Sequence, residues 1–410
     1  MGNSRRLRRG LAAGVAVAGV SVAAATMATV PAQAQEGQIR AANSVESVAG
    51  SYIVVLKDGA LKGVAATVNQ VKAEVQSVAQ GLAGQYGAQV TRTFGAALHG
   101  FTINASEAQA KRLAANGQVA YVVQNQRVHA SDKQENPPSW GLDRVDQKDL
   151  PLDKGYTYAG KAENVTAYVI DTGVRATHES FAGRVSGGKD FIDNDDDAND
   201  ENGHGTHVAG TIGGTEYGLA KGVKIVPVRV LDAQGSGTTE QVVAGIDWVA
   251  ENASGPSVAN MSLGGGADDA LDQSVQGAIA KGVTFGIAAG NESSDAGETS
   301  PARVKEAITV AASDDADKQA DFSNFGEVVD LYAPGVDITS AWGTGDDATD
   351  TISGTSMATP HVVGAAALYL AANPDAKPDA VAKALTDSAT PDKIENASPG
   401  TPNKLLYTGE

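Results

Sequence analysis

The chain has 410 residues, 49 acidic against 31 basic side chains, a formal net charge of -18 and no cysteine. That length suits two or three domains, and 42% hydrophobic residues suffice for a sizeable core. Zero cysteine excludes a disulfide scaffold, a thiolate nucleophile and thiolate-held zinc or iron–sulfur centres. The acidic balance argues against a nucleic-acid partner, which needs clustered Lys and Arg.

The charge divides the chain into three pieces. Residues 1–34 carry four Arg and no acid, 35–130 carry eight basic and five acidic side chains, and 131–410 carry 19 basic and 44 acidic, a net of -25. In the first piece Arg5, Arg6, Arg8 and Arg9 precede an apolar run over 11–30, and Ala32-Gln33-Ala34 supplies a small-x-small cleavage site. This is the pattern of an export signal that is removed, so a secreted, extracellular protein without a stable membrane anchor is expected. Ser4-Arg5-Arg6 faintly resembles a twin-arginine start, which leaves the export route open.

The second piece, 35–130, reads as a small α+β domain. A strand is predicted over 51–56, a helix over 62–83, strands over 89–94 and 100–103 split at Gly95, a helix capped by Ser106, and a last strand over 119–126. The order β-α-β-β-α-β is ferredoxin-like. A compact, slightly cationic domain between a signal and a large acidic one is placed as a propeptide would be.

The third piece, 131–410, alternates apolar runs over 165–170, 225–230, 258–261, 284–288 and 307–311 with helical stretches over 238–251, 270–281, 356–372 and 378–388. Short apolar runs suit parallel strands buried on both faces, so an α/β domain with a doubly wound parallel sheet is predicted. Ligands in such folds gather at the carboxyl ends of the strands.

Those ends carry Asp171-Thr172-Gly173 and Ala289-Gly290-Asn291. Two further segments, 202–210 with His204 and His207, and 354–361 with Ser356, open helices. A serine hydroxyl attacks a carbonyl only when an imidazole takes its proton, and the imidazole needs a carboxylate to fix its tautomer. Ser356 at a helix start also brings backbone N–H groups to where an oxyanion would form. Taken singly, each residue also fits a turn, a cap or a structural histidine. A metal pair at His204 and His207 lacks the acidic third ligand of zincin spacing.

Together, Asp171-Thr172-Gly173, His204-Gly205-Thr206-His207 and Gly354-Thr355-Ser356-Met357-Ala358-Thr359-Pro360 resemble the three signature segments of subtilisin-like serine proteases. Trp140 to Arg144, Ser262-Leu263-Gly264-Gly265 and Phe322-Ser323-Asn324 extend the resemblance, which is nearest to the proteinase K-like branch. It implies Asp171 as orienter, His204 as base and then acid, Ser356 as nucleophile and Asn291 as oxyanion donor, with His207 structural. It implies also that Gly235, Ser236, Gly237, Ser262, Leu263 and Gly264 flank an extended peptide substrate, and that Ala289 and Gly290 wall the pocket before the cut. Broad specificity leaning to apolar or aromatic residues follows, with no catalytic cofactor and a monomeric enzyme.

Under the same resemblance 35–130 is an inhibitory propeptide that assists folding, with 126–130 as a tail in the cleft and self-cleavage near Ala130–Ser131. Structural calcium is implied at Asp330 with the carbonyls of Lys305 and Ala307, at Asp143, Asp146 and Asp153, and at Asp195, Asp197 and Asp200. The dense acidic run at 193–200 is not an EF-hand, since Ala198 and His204 stand where Gly and Glu belong. Several relatives carry cysteine pairs where this chain has Glu201 and Ala233, or Gly297 and Val328. A lipase would need Asp and His after its Ser, and only His361 follows, too close to serve. A catalytically dead scaffold is disfavoured because every catalytic position is filled.

Overall fold

A computed structural model describes residues 36–42, 47–61, 67–127 and 132–409. The basic leader and the Ala130–Ser131 junction lie outside the described residues.

The N-terminal domain contains β1 (Ile39–Arg40), β2 (Ser47–Leu56), α1 (Val68–Tyr86), β3 (Gln89–Phe94), β4 (Gly100–Asn104), α2 (Glu107–Ala114) and β5 (Val119–Gln126). Its sheet runs β1-β5-β2-β4-β3, antiparallel except for β1 along β5. Of the helix expected over 62–83, residues 62–66 lie outside the described residues. The rest starts at Thr67, where a capping box with Gln70 satisfies first-turn N–H groups, and stops at Gly87 with φ of 71°. Ser106 caps α2 as expected, through a second capping box with Gln109. Tyr52, Val54 and Leu56 alternate inward to meet Val75, Ala79, Leu82 and Leu113 of the helices in one small core. The short β1 was not expected.

The large domain adds β6 (Asp132–Glu135), α3 (Trp140–Val145), β7 (Gly155–Tyr158), β8 (Thr166–Asp171), β9 (Lys189–Asp190), α4 (His204–Gly213), β10 (Lys224–Arg229), α5 (Thr239–Asn252), β11 (Ser257–Met261), β12 (Gly265–Gly266), α6 (Asp269–Ala280), β13 (Thr284–Ala288), β14 (Thr299–Ser300), β15 (Ile308–Ser313), β16 (Leu331–Pro334), β17 (Ile338–Ala341), β18 (Thr349–Ile352), α7 (Thr355–Ala372), α8 (Pro378–Ser388), β19 (Thr390–Pro391) and β20 (Lys404–Leu405). Nine strands form one sheet, β19-β20-β16-β15-β13-β11-β8-β10-β9, parallel throughout except where β19 meets β20. The predicted mixed α/β, doubly wound sheet is therefore present. Residues of α4 and α7 share one core with one face of the sheet, and residues of α5 and α6 share a second core with the other.

From β8 the chain first crosses to β10 on one side and then returns to β11 on the other. The carboxyl end of β8 is thus a topological switch point, where a crevice opens. Helix α7 is apolar nearly all round and lies almost wholly buried, as such a helix must. The antiparallel pair of β6 and β7 escaped the sequence reading because β6 is entirely polar and pairs at the surface.

Candidate active site

Asp171 ends β8 and is buried. Its Oδ1 lies 2.7 Å from His204 Nδ1 and accepts the Thr172 N–H at 2.7 Å. His204 opens α4 between two glycines that sterics demand. Gly203 has φ of 116° and a Cβ there would strike the Trp342 ring, while a Cβ on Gly205 would strike the Gly173 carbonyl oxygen. Burial alone would lower the His204 pKa, but the Asp171 carboxylate outweighs it and, with the Asp200 charge, holds the imidazole above its ordinary value. His207 faces away from this pair, with Nε2 2.9 Å from the Ile338 carbonyl oxygen.

Ser356 is the second residue of α7, so its N–H has no acceptor within the helix. Its hydroxyl donates to the Ser262 carbonyl at 3.2 Å rather than to His204. Pro360 explains a second link between these segments. It lacks the N–H that would have bonded the Ser356 carbonyl four residues back, and Ser262 Oγ donates to that carbonyl instead, at 2.8 Å. Asn291 holds its Oδ1 on the Thr355 N–H at 2.8 Å and the Thr355 hydroxyl at 2.9 Å. That anchoring leaves the Asn291 amide N–H2 as a donor beside the Ser356 N–H. Thr355 was not singled out from the sequence, nor were Thr172 and Thr206. A signal was present, since each of Asp171, His204 and Ser356 has a threonine within two residues.

The two substrate segments flank one crevice. Gly235 (φ 74°) sits in a turn held by Asp232, and Gly237 approaches the Val230 carbonyl too closely for any side chain. A cavity of about 590 Å³ touches His204, Gly235, Ser236, Gly237 and the Ser262–Gly264 segment. A second, of about 460 Å³, runs from Ser262–Gly264 past Ala289, Gly290 and Asn291 to Ser356, with Ala288 and Ala302 in its wall. Glu292 stands at this cavity, but its Oε2 is engaged by the Asn291 N–H and the Asn324 amide.

The expected metal residues fare differently. Among the described residues no group of three or more His, Asp or Glu side chains stands in a metal-holding arrangement. Asp195, Asp197 and Asp200 do not form a site. Asp195 accepts the Asp197 N–H, while Asp200 turns inward and fills both its oxygens with five donors. Asp143 and Asp153 spend oxygens on the N–H groups of Asp153, Lys154 and Gly155. Between them Asp146 keeps Oδ1 buried without a partner, and its carboxyl is pushed up to about 6, first by burial and then by the charges of Asp153 and Asp143. Asp330 is likewise pushed up to about 6 by burial, with one N–H donor from Thr309. Ala307 leads into β15 and Asp330 into its neighbour β16, with Lys305 two residues before Ala307.

The expected tail in the cleft falls partly on 128–131, outside the described residues. Arg127 itself bonds Asn373 Oδ1 at 3.2 Å, at the C-terminal end of α7, and Asp132 already belongs to β6, paired with β7. Ser356 stands at the other end of α7, about 26 Å away at 1.5 Å per residue. The N-terminal domain meets this far corner across a gap of about 600 Å³ between its Tyr52 and Gln124 and the Tyr369–Ala376 and Lys383–Asp387 regions.

Residues 162–405 match the subtilase family, Peptidase S8, and residues 51–131 match peptidase inhibitor I9. The chain is 50% identical to an extracellular serine proteinase of Thermus sp. (strain Rt41A), over 92% of this chain and 94% of that one. It is 47% identical to alkaline serine exoprotease A of Vibrio alginolyticus, over 88% and 68%. The crystal structure of a cold adapted subtilisin-like serine proteinase superposes with a TM-score of 0.65 at 57% identity, covering 66% of this chain and 98% of that one. The chain therefore belongs to the subtilase family of serine proteases and carries an I9 inhibitor propeptide.

Proposed function

We propose that the protein is a secreted endopeptidase of broad specificity, working through an acyl-enzyme on Ser356 and made as a self-processing zymogen. The observation that carries this reading is the 2.7 Å contact of Asp171 with His204 beside the crevice that holds Ser356 and the anchored Asn291. An extended substrate added along Ser262–Gly264 donates an N–H to the Ser262 carbonyl, the acceptor now used by the Ser356 hydroxyl. The hydroxyl is thereby released to turn to His204, which takes its proton as Oγ attacks the scissile carbonyl. The Ser356 N–H and the Asn291 amide receive the oxyanion. His204 then protonates the leaving amine, and water, activated by the same imidazole, frees the acyl group.

Main-chain pairing tolerates many side chains, and the alanine-walled cavity favours an apolar or aromatic residue before the cut. The basic leader and the extracellular relative support secretion. For self-cleavage near Ala130–Ser131 at its own Ser356, β6 must first leave β7. Structural calcium would draw on the orphaned Asp146 oxygen, for which Asp143 and Asp153 would have to turn from the N–H groups they now accept, and on the buried Asp330 with the Lys305 and Ala307 carbonyls. Its binding would neutralise carboxylates that burial penalises.

The test is hydrolysis of casein by secreted enzyme, abolished by a serine-directed inhibitor and lost by about four orders of magnitude or more in Ser356→Ala, whose propeptide stays attached. Cleavage of esters but not peptides overturns the reading. Chelation should lower the melting temperature, and an unchanged melting curve removes calcium from it.

A further inference from the structure

Asp200 lies in the middle of an acidic stretch but is only 3% exposed. Its Oδ1 accepts from the Thr172 hydroxyl at 2.8 Å, the Asn202 N–H at 3.0 Å and the Gly203 N–H at 2.8 Å. Its Oδ2 accepts from the Thr206 N–H at 2.9 Å and the Thr206 hydroxyl at 2.6 Å. Both threonines pass the connection on. Thr172 Oγ1 accepts the Gly205 N–H at 2.9 Å, and Thr206 Oγ1 accepts the Arg175 N–H at 3.0 Å. The bracket therefore ties the residues just after Asp171 to the first turn of α4, which His204 begins. Gly343 closes over it, close enough that a Cβ there would sit 3.3 Å from Asp200 Oδ2.

Resting on the protease reading above, we propose that Asp200 is a positioning residue for His204. It clamps the first turn of α4 onto the end of β8, and so sets the contact of His204 with Asp171. It also keeps a second fixed negative charge near the imidazole. Its oxygens accept the Asn202, Gly203 and Thr206 N–H groups at the start of the helix, where the backbone dipoles favour a carboxylate acceptor. The clamp is needed because His204 Nδ1 has one partner, Asp171 Oδ1, while the helix that carries the ring would otherwise be free to shift at its first turn. The charged and titratable groups around the ring are Asp171 on β8, Asp200, and His207 one turn along α4, itself lowered toward 4 by burial.

The experiment compares full-length wild type with Asp200→Asn, Thr172→Val and Thr206→Val, each secreted and matured. Active sites are counted by titration with a serine-directed phosphonyl fluoride. The readouts are kcat and KM per titrated site on a chromogenic peptide, and the low-field proton resonance of the His204 Nδ1–H. Asp200→Asn should lose about 10- to 100-fold in kcat with KM within about twofold, and shift or broaden that resonance, as expected when a catalytic group is displaced by an ångström or less. The threonine variants should fall between it and wild type. An unchanged kcat and resonance, with only a lower melting temperature, would reduce Asp200 to a helix cap and overturn the proposal. If Asp200→Asn does not fold, Thr172→Val decides, since it keeps the charge and removes the two hydrogen bonds of the Thr172 hydroxyl. If the wild type itself has no titratable serine, the protease reading fails instead.

Discussion

The two domains build sheets of opposite kinds from similar numbers of apolar residues per strand. In the catalytic domain β8, β11, β13 and β15 are buried almost end to end, because helices cover both faces of the sheet. In the propeptide, β5 alternates between buried and open positions and β3 is mostly open, because α1 and α2 cover one face only. The two-sided sheet gives the enzyme strand ends rigid enough to aim Asp171. The one-sided sheet gives a domain whose second face remains available to another surface and whose stability rests on a single small core.

Replacing Arg229 by Met should open the widest gap between the two. Arg229 ends β10 beside Asp171 in the register and binds Asp190, Asp193 and Glu201, so its loss leaves the buried Asp190 unpaired. A cost of about 3–5 kcal/mol is expected in the urea unfolding of the mature enzyme, without effect on the isolated propeptide transition. Leu113→Ala should do the reverse. It empties part of the propeptide core for about 2–4 kcal/mol, lowering the yield of folded enzyme but leaving kcat of matured molecules unchanged.

Acid should also separate the domains. His207 and His361 are lowered to about 4, chiefly by burial, and each keeps one ring nitrogen without a partner. The unfolded chain takes up those protons below about pH 6.5 while the folded one does not until about 4. Stability from these histidines is therefore complete above pH 6.5 and falls as pH drops toward 4. Asp146 and Asp330, both raised, act with the opposite sign in part of that window, so the diagnostic is a difference. His361→Gln should flatten the acid limb of the catalytic domain by up to about 1.4 kcal/mol per pH unit, and an identical slope in wild type and variant would refute it. The smallest effect is expected from Ser106→Ala, which removes the capping box of α2 for about 1 kcal/mol, read as an earlier propeptide melt.

The sheet was legible because strands buried on both faces need continuous apolar runs, and five such runs punctuate 165–311. The short β16 and the polar β6 were not, since four residues carry little pattern and a strand paired at the surface need not be apolar. Asp171, His204, Ser356 and Asn291 were named by motif. What motif did not reveal is how carboxylates in one acidic run divide their work. Asp190 and Asp200 turn inward, to Arg229 and to the threonine bracket, while Asp195, Asp196 and Asp197 stay in solvent. The deciding partners of Asp190 and Asp200 include Arg229 and Thr172, tens of residues away, so local sequence could not show which oxygens remained for a metal.

Helix α7 has one further consequence, for reaction order. It separates Ser356 from Asn373, where Arg127 is held, and β6 is zipped to β7 nearby. Under the zymogen reading proposed above, a molecule whose Arg127 and β6 are held in this way is cut by a neighbour, and the rate rises with concentration. A molecule with β6 unzipped can cut itself at a rate independent of dilution. The appearance of mature enzyme at two precursor concentrations therefore measures which arrangement maturation passes through.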